Sequence, residues 1–292
     1  MITGSCLCGE IAWEIAQPPR WLTHCHCSLC RKAHGAAFST FAGVPAGDFR
    51  WTRGEANVRG FASSADLTRT FCPRCGSKLP VRWRDEVQLP AAALDGELGV
   101  RPSSHIFVAS KAPWHEIRDA LPQHAGSGSR DPEFPTRRHT EPAPGVARGA
   151  CLCGAVAFEV DVPLTGPGIT CCHCSRCRKA RGAAHATNTF VALENFRWLR
   201  GEQRTRSYKV PEAERFTQCF CGDCGSPQPV VARALGRVVI PCGAFEDDPG
   251  LREQRHIFAT SRAPWFEIAD DLPQYEAYPP PPWPIAAVAK IT

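Results

Sequence analysis

Cysteines recur in this chain at spacings that suit metal binding. Each half of the sequence carries one C-x-C, one C-x-C-x-x-C and one C-x-x-C-G motif. Such short spacings bring two thiolates to one ion without long-range folding, and the glycine lets the backbone turn its N–H groups towards sulfur. Because C-x-x-C-G has the form of a zinc knuckle and zinc prefers four ligands in a tetrahedron, the spacing predicts zinc sites.

Two half-sites must combine to hold one structural zinc. We expect the first C-x-C of each half to pair with its C-x-x-C-G motif, which ties the N-terminal strand to the knuckle and closes the domain. The predicted ligands are Cys6, Cys8, Cys72 and Cys75 in the first half and Cys151, Cys153, Cys221 and Cys224 in the second.

The remaining motif, C-x-C-x-x-C, supplies three cysteines in each half. Three protein ligands with an open fourth position is the arrangement that catalytic zinc requires, so these triads are the catalytic candidates. The alternative is that His26 or His173 supplies a fourth ligand and the metal only holds a loop together. The triads are Cys25, Cys27 and Cys30 in the first half and Cys172, Cys174 and Cys177 in the second.

A basic pair follows each triad directly. These pairs are Arg31 with Lys32 and Arg178 with Lys179. Their positive charge would lower the pKa of nearby thiols and could hold the carboxylate of an anionic substrate. The other interpretation is a solvated, charged turn.

Several other conspicuous side chains are expected to pack rather than react. Three cysteines have no partner in the first half and are interpreted as buried or spare thiols. The three thiols are Cys171, Cys219 and Cys242. The side chains expected to pack in the core or at its edge are His105, His256, Trp114 and Trp265.

Composition limits the class of protein. The chain has 292 residues, 17 cysteines, 34 basic and 29 acidic residues, and a net charge of +5. An odd number of cysteines in a reducing compartment disfavours a disulfide framework. No run of about 18 apolar residues could span a membrane, and Cys6 leaves no room for a signal peptide after Met1, so we expect a cytoplasmic protein. The small charge forms no long basic run, and no nucleic-acid partner is expected.

The sequence also repeats itself. Four blocks recur in the same order, and "CHCSLCRKAHGAA" at 25–37 matches "CHCSRCRKARGAA" at 172–184 at 11 of 13 positions. A period of about 150 residues indicates tandem domains rather than a solenoid. We predict a first domain at 1–124, a linker rich in Pro, Gly and charge at 125–147, a second domain at 148–278 and a Pro-rich, extended tail at 279–292.

The elements that must position the cysteines are mostly strands. "EIAWEI" and "AVAFEV" alternate apolar with polar or small residues, and "VQLPAAAL" and "RVVIPCGAF" are short apolar runs cut by proline. Helices are predicted only through "RKAHGAA" and "RKARGAA" and through "PWHEIRDAL", because glycine and proline interrupt everything longer. The predicted fold is therefore mainly β.

Each half resembles the glutathione-dependent formaldehyde-activating family, also called the CENP-V/GFA domain. The resemblance runs from the G-x-C-x-C-G opening through "CHCSxCRKAxGAA" and "FCxxCGS" to "HIFxxSxAPWxEIxDxLPQ" and covers nearly all of both copies. It implies two tandem Mss4-like zinc-binding β domains. Each would hold one structural zinc on four cysteines and one catalytic zinc on three, which makes four zinc ions per chain.

The family's reaction adds glutathione to formaldehyde and gives S-hydroxymethylglutathione, a carbon–sulfur lyase activity. The resemblance therefore implies a small-molecule thiol and an aldehyde as partners, with glutathione as co-substrate. The typical member is a single domain, so two domains in one chain could pack as a pseudo-dimer. Because Phe38 in the first copy is replaced by His185 in the second, the copies could also differ in substrate.

Two other functions stay open. The Mss4-like fold also hosts chaperones and interaction domains, so the chain could be a non-catalytic, zinc-stabilised binding module. Centromere-associated members of the family suggest nucleic-acid binding, but the expected basic extension is missing. The triads favour the enzyme, because a purely structural module needs only the four-cysteine sites.

Overall fold

Short strands make up most of the molecule. The computed structural model describes residues 1–127, 139–140, 143–164 and 168–280. The strands of the first copy are β1 (Ile2–Ser5), β2 (Ala12–Ile15), β3 (Trp21–Cys25), β4 (Ser39–Pro45), β5 (Phe49–Arg53), β6 (Arg59–Ala62), β7 (Thr68–Phe71), β8 (Val81–Trp83), β9 (Glu86–Pro90) and β10 (Pro102–Ile106).

The second copy repeats these strands in the same order and adds one more. Its strands are β11 (Val146–Ala150), β12 (Ala157–Asp161), β13 (Ile169–Cys172), β14 (Ala186–Ala192), β15 (Phe196–Arg200), β16 (Thr205–Lys209), β17 (Thr217–Cys221), β18 (Val230–Ala232), β19 (Arg237–Pro241), β20 (Glu253–Ile257) and β21 (Gln274–Tyr275).

Each copy arranges its strands in three sheets. A three-stranded antiparallel sheet has the order β1-β2-β5, and β11-β12-β15 in the second copy. A larger sheet has the order β10-β3-β4-β9-β8, and β18-β19-β14-β13-β20-β21 in the second copy, while β6-β7 and β16-β17 form two-stranded ribbons. The prediction of a mainly β fold with two tandem copies is confirmed.

The described residues contain two α-helices, one in each copy. Helix α1 (Ser28–His34) and helix α2 (Ser175–Arg181) each follow the central strand that carries the first cysteine of the triad. Each ends at a glycine in the left-handed region, Gly35 at φ 61° and Gly182 at φ 62°, which is a conformation that glycine adopts without strain. The short helices predicted through the "RKAxGAA" segments are present, but each begins three residues earlier and ends before the glycine.

The helix predicted through "PWHEIRDAL" is wrong. Residues 113–121 contain a single turn at Pro113 and Trp114 and no helix. Trp114 is buried, and the carboxylate of Asp119 binds His105 on β10. Tertiary contacts to strands, rather than local hydrogen bonds, therefore fix this segment.

One hydrophobic core includes residues of both copies. Trp13 and Leu89 of the first copy belong to the same buried cluster as Phe158 and Ile240 of the second. Helix α1 packs against the turn Cys242–Ala244, and α2 packs against the corresponding turn, Ala91–Ala93. The two copies thus contact each other through equivalent elements.

Parts of the predicted organisation lie outside the described residues. Most of the expected linker, 128–138 and 141–142, and residues 281–292 of the expected tail belong to this part. Among the described residues, no helix has both the length and the apolar composition needed to cross a membrane.

Candidate functional site

The first kind of site is a cluster of four cysteines, one in each copy. In the first copy, two thiols come from the turn after β1 and two from the turn after β7, which brings together residues nearly 70 positions apart. The sulfur atoms of each cluster lie within 4.8 Å of one another. These clusters are Cys6, Cys8, Cys72 and Cys75, and Cys151, Cys153, Cys221 and Cys224, as the spacing predicted.

The geometry of these four-cysteine clusters fits a tetrahedral metal better than disulfides. Sγ of Cys6 and Sγ of Cys8 are 3.4 Å apart, and Sγ of Cys8 and Sγ of Cys72 are 3.8 Å apart. A disulfide needs about 2.05 Å, whereas Zn–S bonds of about 2.3 Å place two sulfurs of a tetrahedron about 3.8 Å apart. The second copy has the same distances, 3.4 and 3.8 Å.

Backbone and hydroxyl groups support these thiols. The N–H of Ile11 donates to Sγ of Cys6 at 3.4 Å, and Sγ of Cys75 donates to Oγ of Ser77 at 3.3 Å. The same serine accepts a hydrogen bond from the N–H of Leu7, which joins the two turns. The four-cysteine clusters therefore lie in a closed, buried environment typical of structural zinc.

The second kind of site is the predicted triad. Cys25 is the last residue of β3, Cys27 is the N-cap of α1, and Cys30 lies in the first turn of the helix. Sγ of Cys27 accepts a hydrogen bond from the N–H of Cys30 at 3.3 Å, and Sγ of Cys25 lies 3.5 Å from Sγ of Cys30. The three sulfurs lie within 4.8 Å of one another, so they could hold one metal ion.

The triad of the second copy is built in the same way. Cys172 ends β13, Cys174 is the N-cap of α2, and the N–H of Cys177 donates to Sγ of Cys174 at 3.4 Å. Hydrogen bonds from Cys172 and Cys177 lower the pKa of Cys174 to about 3. This cluster therefore contains at least one thiolate, the form of cysteine that binds metals.

The first triad is contacted by an arginine that the motif spacings do not predict. Nη2 of Arg69 on β7 lies 3.4 Å from Sγ of Cys30. The pKa of Cys30 is lowered, first by the side-chain hydrogen bonds of Cys25 and Cys27 and further by the charge of Arg69. Arg69 is two residues before Phe71 in a short alternating strand, which puts both on one face, but the partner of that face cannot be read from the sequence.

The second copy places its positive charge on a different element. Gln218 occupies the position of Arg69, since each lies three residues before the first cysteine of its knuckle. Arg181 of α2, which replaces His34, is buried, and burial lowers its pKa to about 10, with the charge of Cys177 as the largest opposing cause. Each triad thus has one buried or partly buried guanidinium nearby.

Both triads face cavities. The first cavity has a volume of about 620 Å³ and is lined by the Cys25 triad, Arg69 and aromatic side chains. The second cavity has a volume of about 250 Å³ and is lined by the Cys172 triad, Arg181 and Tyr278. Burial and the thiols of Cys172, Cys177 and Cys174 raise the pKa of Tyr278 to about 12, so its hydroxyl stays protonated at neutral pH.

A chain of hydrogen bonds orients the histidine inside each triad motif. Nε2 of His26 lies 2.8 Å from Nδ1 of His105, whose Nε2 lies 3.0 Å from the carboxylate of Asp119. Because the carboxylate accepts, His105 accepts at Nδ1 and His26 donates from Nε2. His173, His256 and Asp270 repeat this arrangement with the same distances.

These hydrogen bonds bear on whether His26 or His173 supplies a fourth ligand to the metal of its triad. Nε2 of His26 is already hydrogen-bonded, and neither His26 nor His173 belongs to a metal-binding cluster among the described residues. His105 and His256, predicted to pack, are indeed buried but also hold the neighbouring histidine in place. Nδ1 of His26 and Nδ1 of His173 are buried without a hydrogen-bond partner in the described part of the chain, but the clusters there group only the three thiols of each triad.

The lysines of the two basic pairs form ion pairs with the other copy, whereas Arg178 binds carbonyl groups of its own copy. Nζ of Lys32 pairs with Glu246 of the second copy, and Nζ of Lys179 lies 3.0 Å from Oδ1 of Asp95 in the first. Nε of Arg178 donates to the carbonyl oxygens of His173 and Ser261. Neither cavity is lined by any member of the two pairs, Arg31, Lys32, Arg178 and Lys179.

The three cysteines predicted as spare thiols lie outside the clusters. Cys171, Cys219 and Cys242 are all buried, and none belongs to a metal-binding group among the described residues. Burial raises the pKa of Cys171, with the Glu253 carboxylate, 3.4 Å from Sγ, as the next cause. These thiols are therefore protonated.

Comparison with known proteins identifies the family of this chain. The chain matches the family described as "Glutathione-dependent formaldehyde-activating enzyme" over residues 1–110 and 146–261. A Halomonas elongata protein described as a "Putative glutathione-dependent formaldehyde-activating enzyme" is 31% identical over 129 residues, which are 40% of this chain and 81% of the relative. A solved Rhodobacter sphaeroides structure is 27% identical, with a TM-score of 0.29, over 32% of this chain and 89% of the other. With both matched segments containing a four-cysteine cluster and a triad, the chain belongs to the glutathione-dependent formaldehyde-activating enzyme family, of which it carries two copies in tandem.

Proposed function

We propose that this protein is a zinc-dependent enzyme of the carbon–sulfur lyase type that adds a small thiol to an aldehyde. Glutathione and formaldehyde are the pair that the family's description names. The observation that carries the proposal is the placement of three clustered thiols on the wall of a cavity, repeated in both copies. A non-catalytic binding module would need the four-cysteine clusters but not these open triads.

The donor sets fit four zinc ions per chain. The four-cysteine clusters supply complete tetrahedral sets, and the triads supply three ligands each. A zinc ion on a triad supplies, when bound, one further coordination position that favours the deprotonated form of an added thiol. Three thiolates leave such a site net negative, which makes thiol binding a better role for it than strong polarisation of a carbonyl.

The residues of the chain have separate tasks in the proposed reaction. The sulfur–carbon bond forms as the carbonyl π bond breaks, and the proton of the thiol ends on the new hydroxyl. Arg69 places positive charge beside Cys30 and so balances the negative triad of the first copy. His105 and Asp119 fix the orientation of His26 and thereby the backbone between Cys25 and Cys27.

The two copies are proposed to act as a pseudo-dimer within one chain. Support comes from the shared hydrophobic core, from the pairing of α1 and α2 with equivalent turns, and from the ion pair of Lys32 with Glu246. In this proposal the two subunits of the pseudo-dimer are the predicted domains, residues 1–124 and 148–278. We also propose that the protein is cytoplasmic, because thiols stay reduced in that compartment.

Native mass spectrometry of the full chain, with and without glutathione, tests the proposal. We expect four zinc ions and glutathione adducts that disappear when the triads are mutated, followed by turnover with formaldehyde. Four zinc ions with no bound thiol of any kind would contradict the enzyme and favour the binding module.

Two serine variants test the division between structural and catalytic sites. Cys174→Ser should remove one zinc without unfolding the second copy, because serine keeps the N-cap of α2. Cys221→Ser should lower the thermal midpoint markedly, because it opens a buried four-cysteine cluster. Equal loss of stability from both variants would contradict the proposed roles.

A further inference from the structure

The two cavities differ in the side chains around their triads. Four aromatic residues line the first cavity, Trp21 on β3, Phe41 on β4, Trp83 on β8 and Phe107, and the first three have no aromatic counterpart in the second copy. Strand register identifies their counterparts, since Trp21 and Gly168 each lie four residues before the first triad cysteine. The counterparts are smaller or polar, Gly168, Asn188 and Ala232. The second cavity nevertheless has four aromatic residues of its own, Phe190, Phe216, Phe258 and Tyr278, so aromatic content does not distinguish the two cavities.

Charge differs even more between the cavities. Five basic residues and one acidic residue, Glu214, line the second cavity. In the first cavity, Arg69 and Arg84 are matched by Asp85 and Glu86. The basic residues of the second cavity are Arg176, Arg181, Lys209, Arg215 and Arg237.

This contrast comes from substitutions at matched positions. Lys209 and Ala62 both end the first strand of the two-stranded ribbon, opposite Thr217 and Thr68. Arg237 begins β19, and its counterpart Glu86 begins β9. The positions of the five basic residues are occupied in the first copy by Leu29, His34, Ala62, Asp66 and Glu86.

A concave site with one sign of charge attracts ligands of the opposite sign. In the second cavity, five cations around a triad would attract a thiol that carries carboxylates, and guanidinium groups bind carboxylates with two parallel hydrogen bonds. In the first cavity, balanced charge gives no such preference, and the aromatic surface present in both cavities can contact the apolar part of either kind of thiol.

We propose that the two cavities select different thiols. The second cavity prefers thiols that carry several carboxylates, and the first binds charged and uncharged thiols without such a preference. This inference rests on the proposed function, because it assumes that the sulfur of the ligand is held at the triad. It adds that the tandem copies divide substrates rather than duplicate one activity.

Chains with a single working triad separate the two cavities. Cys27→Ser leaves only the second triad intact and Cys174→Ser leaves only the first, and serine preserves each helix N-cap. Isothermal titration of the zinc-loaded full chain would use three thiols: glutathione, its diethyl ester and benzyl mercaptan. Measurements at low and high salt report the electrostatic share of the binding.

The two chains should rank these thiols in different orders. The Cys27→Ser chain should bind glutathione roughly tenfold more tightly than the diester, with a preference that falls at high salt. The Cys174→Ser chain should show no preference for glutathione over its diester at either salt concentration. The same order in both chains would overturn the division of substrates and leave thiol binding intact, whereas no binding by either chain would overturn both proposals.

One charge reversal tests the second cavity directly. Arg215→Asp introduces the residue that the first copy has at this position, Asp66. In the Cys27→Ser background it should weaken glutathione binding roughly tenfold and leave benzyl mercaptan unchanged. Arg206→Asp changes the net charge equally at an exposed position outside the cavity, so it is the matched control. Equal effects of the two variants would overturn the proposal.

Discussion

Buried histidines make this chain sensitive to acid. His185 is buried, and burial lowers its pKa to about 3, with the Glu253 carboxylate acting in the opposite direction. An unfolded histidine titrates at about 6.5, so between about pH 6.5 and 3 the unfolded chain binds a proton that the native chain does not. The free energy of unfolding therefore falls as the pH drops through this range and is fully present above it. Burial lowers the pKa of His34 in the same way.

Replacement of His185 by phenylalanine, the residue at this position in the first copy, should remove part of this sensitivity. Because one pKa unit corresponds to about 1.4 kcal/mol, His185 should lower the free energy of unfolding at pH 5 by about 2 kcal/mol relative to its value at pH 8. His185→Phe should therefore lose less stability than the unmodified chain between pH 8 and pH 5. Denaturant titrations of both proteins at the two pH values measure the difference, and parallel losses would contradict the prediction.

The sequence predicts the cysteine ligands, but it does not predict the side chains that contact them. Cysteine ligands are recognisable because two of them lie within one short turn, and the structure brings together all four predicted clusters. The contact of Arg69 with Cys30 joins a strand and a helix that are 39 residues apart, and local spacing carries no information about it. The same holds for Tyr278, which reaches the second triad from the end of the described chain.

At the scale of elements, helices α1 and α2 depend on their last glycine. Gly35 has φ 61°, and a Cβ there would lie 2.5 Å from Nη1 of Arg181 and 2.8 Å from Cβ of Pro227. Both atoms belong to the other copy, so the end of α1 is also an interface. Alanine at this position would be strained by its backbone and by this contact together.

We expect Gly35→Ala to lower the free energy of unfolding by about 2 kcal/mol or more. The matched control is Gly47→Ala, where a Cβ would have nothing within 4 Å and no positive φ is required. That variant should stay within about 0.5 kcal/mol of the original. Equal unfolding midpoints of the two variants in urea would show that the close approach of the copies is not rigid.

The segment "PWHEIRDAL", which is not helical, shows that local sequence patterns do not predict structure fixed by tertiary contacts. Proline at 113 and at 122 leaves room for at most two helical turns, too few for a helix without support from packing. Side chains of this segment instead bind strands, with His115 2.8 Å from the Glu253 carboxylate on β20 of the other copy. Contacts between copies cannot be read from a sequence period.

At the scale of the whole molecule, two equivalent ion pairs join the copies but differ in burial. Lys32 and Glu246 are 3% and 2% exposed, whereas Lys179 and Asp95, at the equivalent positions, are 23% and 52% exposed. Glu246 also accepts hydrogen bonds from the hydroxyl of Thr140 and the N–H of His139. The first pair is thus part of the closed interface, and the second is close to solvent.

Removal of one charge should therefore have very different effects at the two pairs. Lys32→Met leaves the Glu246 carboxylate buried without its cation and should lower the free energy of unfolding by about 3–5 kcal/mol. Lys179→Met, the matched control, should cost about 1 kcal/mol or less because water screens the remaining charge. Guanidinium unfolding followed by fluorescence measures both values. If the copies fold independently, Lys32→Met would instead leave two separate transitions with unchanged midpoints, and the chain would be two linked domains rather than one cooperative unit.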